Sequence, residues 1–331
     1  VYKRQETIAP YAEAYAHYIF IAAPFMICSF IMNNLLRFQG KASFAMVGIT
    51  VGGLLNIALD PLFIFTLDMG TAGAALATGL SQFISFCILL WMCNHQDSCI
   101  SISIRKFRPK LAIYREVLYG GIPSLGRQGI ASVATILMNF MCQPYGDAAI
   151  AAMSIVSRFM FFINSVIIGF GQGFQPVCSY CFGAGLYDRV KKACWFCIRV
   201  STIILLVLSV ISFPAARSII TLFRRNDPTV IEIGTLALRL QLITLPLQGA
   251  VIMGNMMPQS IGYGFRATLV STARQGIFLI PLLTIMTYTI GLLGIQCAQP
   301  LADIATFILS LFVIRGIFKE FPEDASSFAA Q

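Results

Sequence analysis

Residues 42–67 read ASFAMVGITVGGLLNIALDPLFIFTL, a long apolar run whose one ionisable side chain is Asp60. A helix needs about 20 apolar residues to cross a hydrocarbon core, so this segment alone is long enough to span a bilayer. Comparable runs lie near 11–36, 72–93, 117–142, 148–181, 194–222, 229–253, 267–289 and 294–314, which predicts nine membrane helices. Phe159-Met160-Phe161-Phe162-Ile163 and Ile203-Ile204-Leu205-Leu206-Val207 do not alternate apolar with polar residues, which argues against a transmembrane barrel. The fold class is an all-α polytopic membrane protein.

Composition agrees. The chain has 331 residues, 57 % hydrophobic and 11 % charged, with mean hydropathy +0.79, more apolar than a water-exposed surface of this size tolerates. Its formal net charge of +9 is distributed by loop. Arg37 and Lys41 fall in the first loop, and Arg105, Lys106, Arg108, Lys110 and Arg115 in the third. Arg189, Lys191 and Lys192 fall in the fifth, Arg266 borders the seventh, and Arg315 and Lys319 follow the last helix. Odd loops are therefore expected on the cytoplasmic side. Arg224 and Arg225 in the sixth loop depart from this pattern, with Asp227 as their expected counter-charge. Basic charge here reports topology, and no nucleic-acid partner is expected.

Val1-Tyr2-Lys3-Arg4-Gln5 is the translation of GTG TAT AAG AGA CAG, a transposon end sequence used in DNA library preparation. Residues 1–5 are therefore expected to be a sequencing artefact and the chain a fragment. Ten cysteines include two C-x-x-C pairs, Cys178 with Cys181 and Cys194 with Cys197. They lie in apolar helices, far in sequence from His17 and His95, and read as small packed hydrophobes, so no metal or cofactor is expected.

The chain repeats itself. Laying 70–90 over 291–311 pairs Gly70 with Gly291, Gly73 with Gly294, Ala77 with Ala298, Leu80 with Leu301, Phe86 with Phe307 and Leu90 with Leu311. Nearby offsets pair Pro24 with Pro246, Gly40 with Gly262 and Pro61 with Pro281. The first three helices thus recur as the last three, with three unmatched helices between. A six-helix unit implies twelve helices in two lobes related by an axis along the membrane normal. On that reading, 6–93 is the second half of the N-terminal lobe, 94–116 a cytoplasmic linker, 117–318 the C-terminal lobe and 319–331 a polar tail.

Asp60 then needs an explanation, because an intramembrane carboxylate is costly without a partner or water. Asn56 lies one turn deeper on the same face, and Thr78, on the antiparallel next helix, lies at the same depth, roughly 9 to 11 Å from the outer end. A carboxylate, an amide oxygen and a hydroxyl suit a small hard cation, or a proton held by the carboxylate. The competing reading makes Asp60 the cap of a helix broken at Pro61. Arg158, Gln172, Gln175 and Asp303 are further intramembrane polar groups, candidates to line a substrate cavity. A pair between Arg158 and Asp303 is one possibility. The run Gly169-Phe170-Gly171-Gln172-Gly173-Phe174-Gln175-Pro176 predicts a bent or flexible segment.

Three stretches together carry a resemblance: MNNLLRFQGKASFAMVGITVGGLLNIALDPLFIF (32–65), MGTAGAALAT (69–78) and GFGQGFQPVCSYCFGAG (169–185). Over about residues 7–318 the chain resembles the multidrug and toxic compound extrusion (MATE) family, and is similar to its helices four through twelve. The resemblance implies a two-lobe, twelve-helix transporter of a bacterial inner membrane, working as a monomer and exporting organic cations in exchange for sodium or protons. It implies that Asn56, Asp60 and Thr78 are cation ligands, completed by an aspartate upstream. Second-lobe acidic ligands used elsewhere in the family find no match. A flippase for lipid-linked oligosaccharides would need more cavity-facing basic residues than Arg158, Arg127 and Arg239. A non-transporting scaffold would not need Asn56, Asp60 and Thr78 at one depth, and no nucleophile or phosphate-loop motif suggests an enzyme.

Overall fold

The computed structural model describes residues 2–95, 102, 110–224 and 227–321. Arg105, Lys106, Arg108, Arg225 and the tail beyond Phe321, all invoked above, lie outside them. The described residues form helices throughout: α1 (Tyr2–Phe38), α2 (Ala42–Pro61), α3 (Gly70–His95), α4 (Leu111–Cys142), α5 (Asp147–Gly183), α6 (Tyr187–Phe223), α7 (Pro228–Thr244), α8 (Gln248–Ser260), α9 (Gly264–Thr272), α10 (Ile280–Ile290) and α11 (Leu292–Glu320). A 3₁₀ turn, Leu245–Leu247, joins α7 to α8, and a π-helical segment, Ala273–Leu279, joins α9 to α10, so these make nine rods. Eight of the rods are long and apolar enough to cross a membrane. The ninth is α4, which starts six residues before the expected 117. Helices satisfy their own backbone groups, which is what lets so apolar a chain sit in lipid.

The chain divides into two compact units, Val1–Arg108 and Pro109–Gln331. In the first, α2 meets α3 across Gly48 and Gly52. A methyl group on Gly48 would lie 2.3 Å from Leu89 Cδ2, and one on Gly52 2.9 Å from Ser85 Cβ. This small-xxx-small spacing lets helices approach closely where lipid gives no hydrophobic drive to associate. Ser85 Oγ uses the approach to donate to Gly48 O at 2.8 Å, and Asn33 Nδ2 donates from α1 to Ala45 O at 2.8 Å. Met32, Leu36, Ala45, Leu89 and Met92 form the small core beneath.

The second unit buries a larger core, including Val156 and Ile167 of α5, Leu205 and Ile220 of α6, Leu238 and Leu242 of α7, and Met253 and Met257 of α8. Helix α5 continues through Gly169–Pro176, with Pro176 inside it. Gly171 there leaves room for Met256, whose sulfur would lie 2.3 Å from an added Cβ. Cys178, Cys194 and Cys197 are buried in the same core. Asp227, expected to neutralise Arg224 and Arg225, instead caps α7: its carboxylate accepts from Val230 N–H at 3.3 Å, with Pro228 in the first turn.

The internal repeat is visible in the backbone. Gly40 and Gly262 both hold positive φ, +78° and +87°, as do Gly70 and Gly291, +55° and +70°. A methyl group on Gly73 would lie 2.7 Å from Phe63 O, and one on its counterpart Gly294 2.0 Å from Met286 O. In each copy the last helix therefore starts with its backbone pressed on a carbonyl of the helix before. Each copy also carries a π segment beside its repeated proline, Leu62–Thr66 after Pro61 and Ala273–Leu279 before Pro281.

Candidate functional site

Asp60 is the penultimate residue of α2, and the helix does not break there. It passes through Pro61 into the π segment Leu62–Thr66, with Leu62 N–H bonded to Leu59 O, so Asp60 caps no new helix. Asn56 Nδ2, one turn earlier, lies 3.2 Å from Asp60 Oδ1 and 3.4 Å from Thr78 Oγ1 on α3. The Thr78 hydroxyl donates to Ala74 O at 2.9 Å, so its lone pairs face Asn56. All three side chains are half-buried. One amide thus holds a carboxylate and a hydroxyl from two helices at one point, between the Gly52 contact and the π turn.

The four candidates for a substrate cavity are dispersed. Arg158 is exposed on α5 and Gln172 half-buried. Gln175 Nε2 donates to Gln259 Oε1 on α8 at 3.3 Å. No hydrogen bond joins any two of the four among the described residues. Asp303 is 1 % exposed, and its partner is Arg274 rather than Arg158. Arg274 Nε donates to Asp303 Oδ1 at 2.8 Å, Gln299 Nε2 to the same oxygen at 3.1 Å, and Gln248 Nε2 to Oδ2 at 2.8 Å. Three residues, from the π segment, α8 and α11, thus surround one buried charge.

Arg274, Gln248 and Gln299 were not among the sequence candidates. A signal for Arg274 exists, since it is a cation seven residues into the apolar run 267–289. The repeat is informative too. Thr78 aligns with Gln299 and, at the offset set by the prolines, Asn56 with Gly276 and Asp60 with Ile280. In the second copy the region matching the Asp60 site holds no acid at the matching positions, and a tethered guanidinium sits on a neighbouring carboxylate instead.

A polytopic helical bundle whose first three helices recur as its last three, in which carboxylates lie among amides inside the membrane, defines a multi-pass membrane transporter. The chain belongs to the MatE family, whose sequence model matches residues 1–62 and 123–291. The multidrug export protein MepA of Staphylococcus haemolyticus is 27% identical over 317 residues, covering 96% of this chain and 70% of its own length. MepA of Staphylococcus aureus strain N315 is 29% identical over 313 residues, 94% of this chain and 68% of the relative. Among solved structures, a MATE crystal structure in complex with MaL6 is similar with TM-score 0.85 at 25% identity, over 93% of this chain and 70% of that one. The chain is a multi-pass protein of a bacterial cell membrane, and its family consists of transporters rather than enzymes.

Proposed function

We propose that this chain serves a cation-coupled antiporter that exports drugs, organic cations above all, by alternating access. The observation that carries the reading is the convergence of Asn56, Asp60 and Thr78 on one point between α2 and α3. The names of the multidrug-exporting relatives supply the substrate class.

Asp60 is the coupling residue. As a carboxylate it accepts from Asn56 and ties the end of α2 to α3 through the shared amide. Uptake of a proton removes the negative charge that this amide serves. Uptake of a sodium ion turns the amide over to present Oδ1, so that carboxylate, amide and hydroxyl oxygens face the ion. Either event loosens the Asn56 link beside the π turn and favours a rearranged α2. Exchange then requires only that ion and drug have different affinities for the two arrangements.

The test is efflux of a fluorescent organic cation from drug-sensitive bacteria expressing the full-length transporter, beside an Asp60→Asn version. Energy-dependent efflux lost in the variant is the expected result. Replacing external sodium by choline at fixed pH then separates sodium from proton coupling. Efflux undiminished in Asp60→Asn would remove Asp60 from the coupling step.

A further inference from the structure

The second unit contains a basic groove whose lining includes none of the residues assigned above to ion coupling. Helix α7 packs on both α6 and α11, and the three enclose a cavity of about 760 Å³ at the end where α7 and α11 begin. By the distribution of loop charge this is the outer end. Arg217 of α6 and Arg239 of α7 line it together with Glu232 of α7, and Leu236, Leu292 and Leu293 form apolar walls. Arg217 also lines an adjoining smaller groove with Ser218 and Thr221.

Neither arginine has an acidic partner among the described residues; the ion pairs there are Arg266 with Glu320 and Arg274 with Asp303. Arg239 instead lies over the Phe213 ring, 5.5 Å from its centroid, which fixes the guanidinium while leaving its donors free. Two lining oxygen atoms lack hydrogen-bond partners. Gln296, 2 % exposed, gives Nε2 to Ile233 O at 3.1 Å, but its Oε1 has no partner, and neither has the buried Thr235 Oγ1. A buried acceptor left without a donor is a cost that a ligand can remove.

These groups specify their ligand. Two guanidinia prefer a phosphate, which they grip in forked pairs. Gln296 Oε1 and Thr235 Oγ1 can both accept from a hydroxyl, and the walls suit acyl chains. Two arginines against one glutamate leave a net positive groove, which complements a net negative headgroup better than a zwitterion. We propose that this groove is a binding site for an anionic glycerophospholipid of the phosphatidylglycerol type, its phosphate on Arg217 and Arg239 and its glycerol hydroxyls on Gln296 and Thr235.

Native mass spectrometry of the full-length transporter, purified in detergent and offered phosphatidylglycerol, phosphatidylethanolamine or phosphatidylcholine, tests this. Wild type should retain phosphatidylglycerol about tenfold more than the other two, a ratio of the size one charge-assisted contact gives. Arg217→Gln/Arg239→Gln should abolish the preference, and both side chains are exposed, so helical content should be unchanged. Leu293→Trp, which fills an apolar wall and keeps both arginines, should also reduce retention, and millimolar inorganic phosphate should not displace the lipid. Equal retention by wild type and the double arginine variant would overturn the site, as would equal or better retention of phosphatidylethanolamine. Displacement by phosphate with Leu293→Trp unaffected would make it a free-anion site and overturn the lipid assignment.

Discussion

Arg274 Nε stands 2.8 Å from Asp303 Oδ1, joining the π segment between α9 and α10 to the middle of α11. The carboxylate is 1 % exposed and takes two further bonds, from Gln248 and Gln299. Removing one partner of such a pair leaves a buried charge uncompensated, whereas removing both leaves none. Arg274→Met should therefore lower stability by about 3–5 kcal/mol. Arg274→Met/Asp303→Leu should recover most of that loss, and Asp303→Asn, which keeps an acceptor for its neighbours, should cost less than Arg274→Met. Thermal unfolding in detergent, followed by the rate of modification of buried Cys178 and Cys194, reads the order.

The Asp60 site predicts a different ranking, read in ion dependence rather than stability. Asn56→Ala removes the amide that touches both Asp60 and Thr78, so it should raise the external cation concentration for half-maximal efflux by about tenfold or more, as expected for a hydrogen bond to a charged group. Thr78→Ala should raise it by less, because the hydroxyl also serves Ala74 O, and Thr78→Ser should behave as wild type. A concentration dependence unchanged in Asn56→Ala would separate Asn56 from the ion.

Much of the fold is legible in the sequence because bilayer thickness sets helix length, so apolar run length gives the number of rods directly. The shared depth of Asn56, Asp60 and Thr78 follows from rise per residue and a short connecting loop. Arg274 shows where such counting stops. Depth alone suggested Arg158 as the partner of Asp303, but the rotation of each helix about its axis decides which side chains meet, and that rotation is set by packing. The π segments belong to the same class: an extra residue in a turn shifts every following side chain around the helix, and nothing in the hydropathy of Ala273–Leu279 announces it. The break that the competing reading placed at Pro61 did not form, because the π turn after it carries the helix on.

The repeated glycines give the last prediction. Gly73 and Gly294 occupy matching positions, and in both a side chain would collide with a main-chain carbonyl, Phe63 O at 2.7 Å and Met286 O at 2.0 Å. Backbone cannot step aside as a side chain can, so each alanine substitution must push the start of its helix off the helix before it. Gly73→Ala and Gly294→Ala should each cost about 1–3 kcal/mol, the usual penalty for overpacking, with Gly294→Ala the worse. Gly53→Ala and Gly316→Ala, where an added Cβ meets nothing within 4 Å, control for helix propensity and should be neutral or stabilising by up to about 1 kcal/mol. Because the Gly73 contact sits on the π segment that follows Asp60, Gly73→Ala should also reduce drug efflux, whereas Gly294→Ala should act on thermal stability first. Equal midpoints of unfolding for all four variants would show that the two helix starts yield freely, and would remove the close contact as the reason both copies of the repeat keep a glycine there.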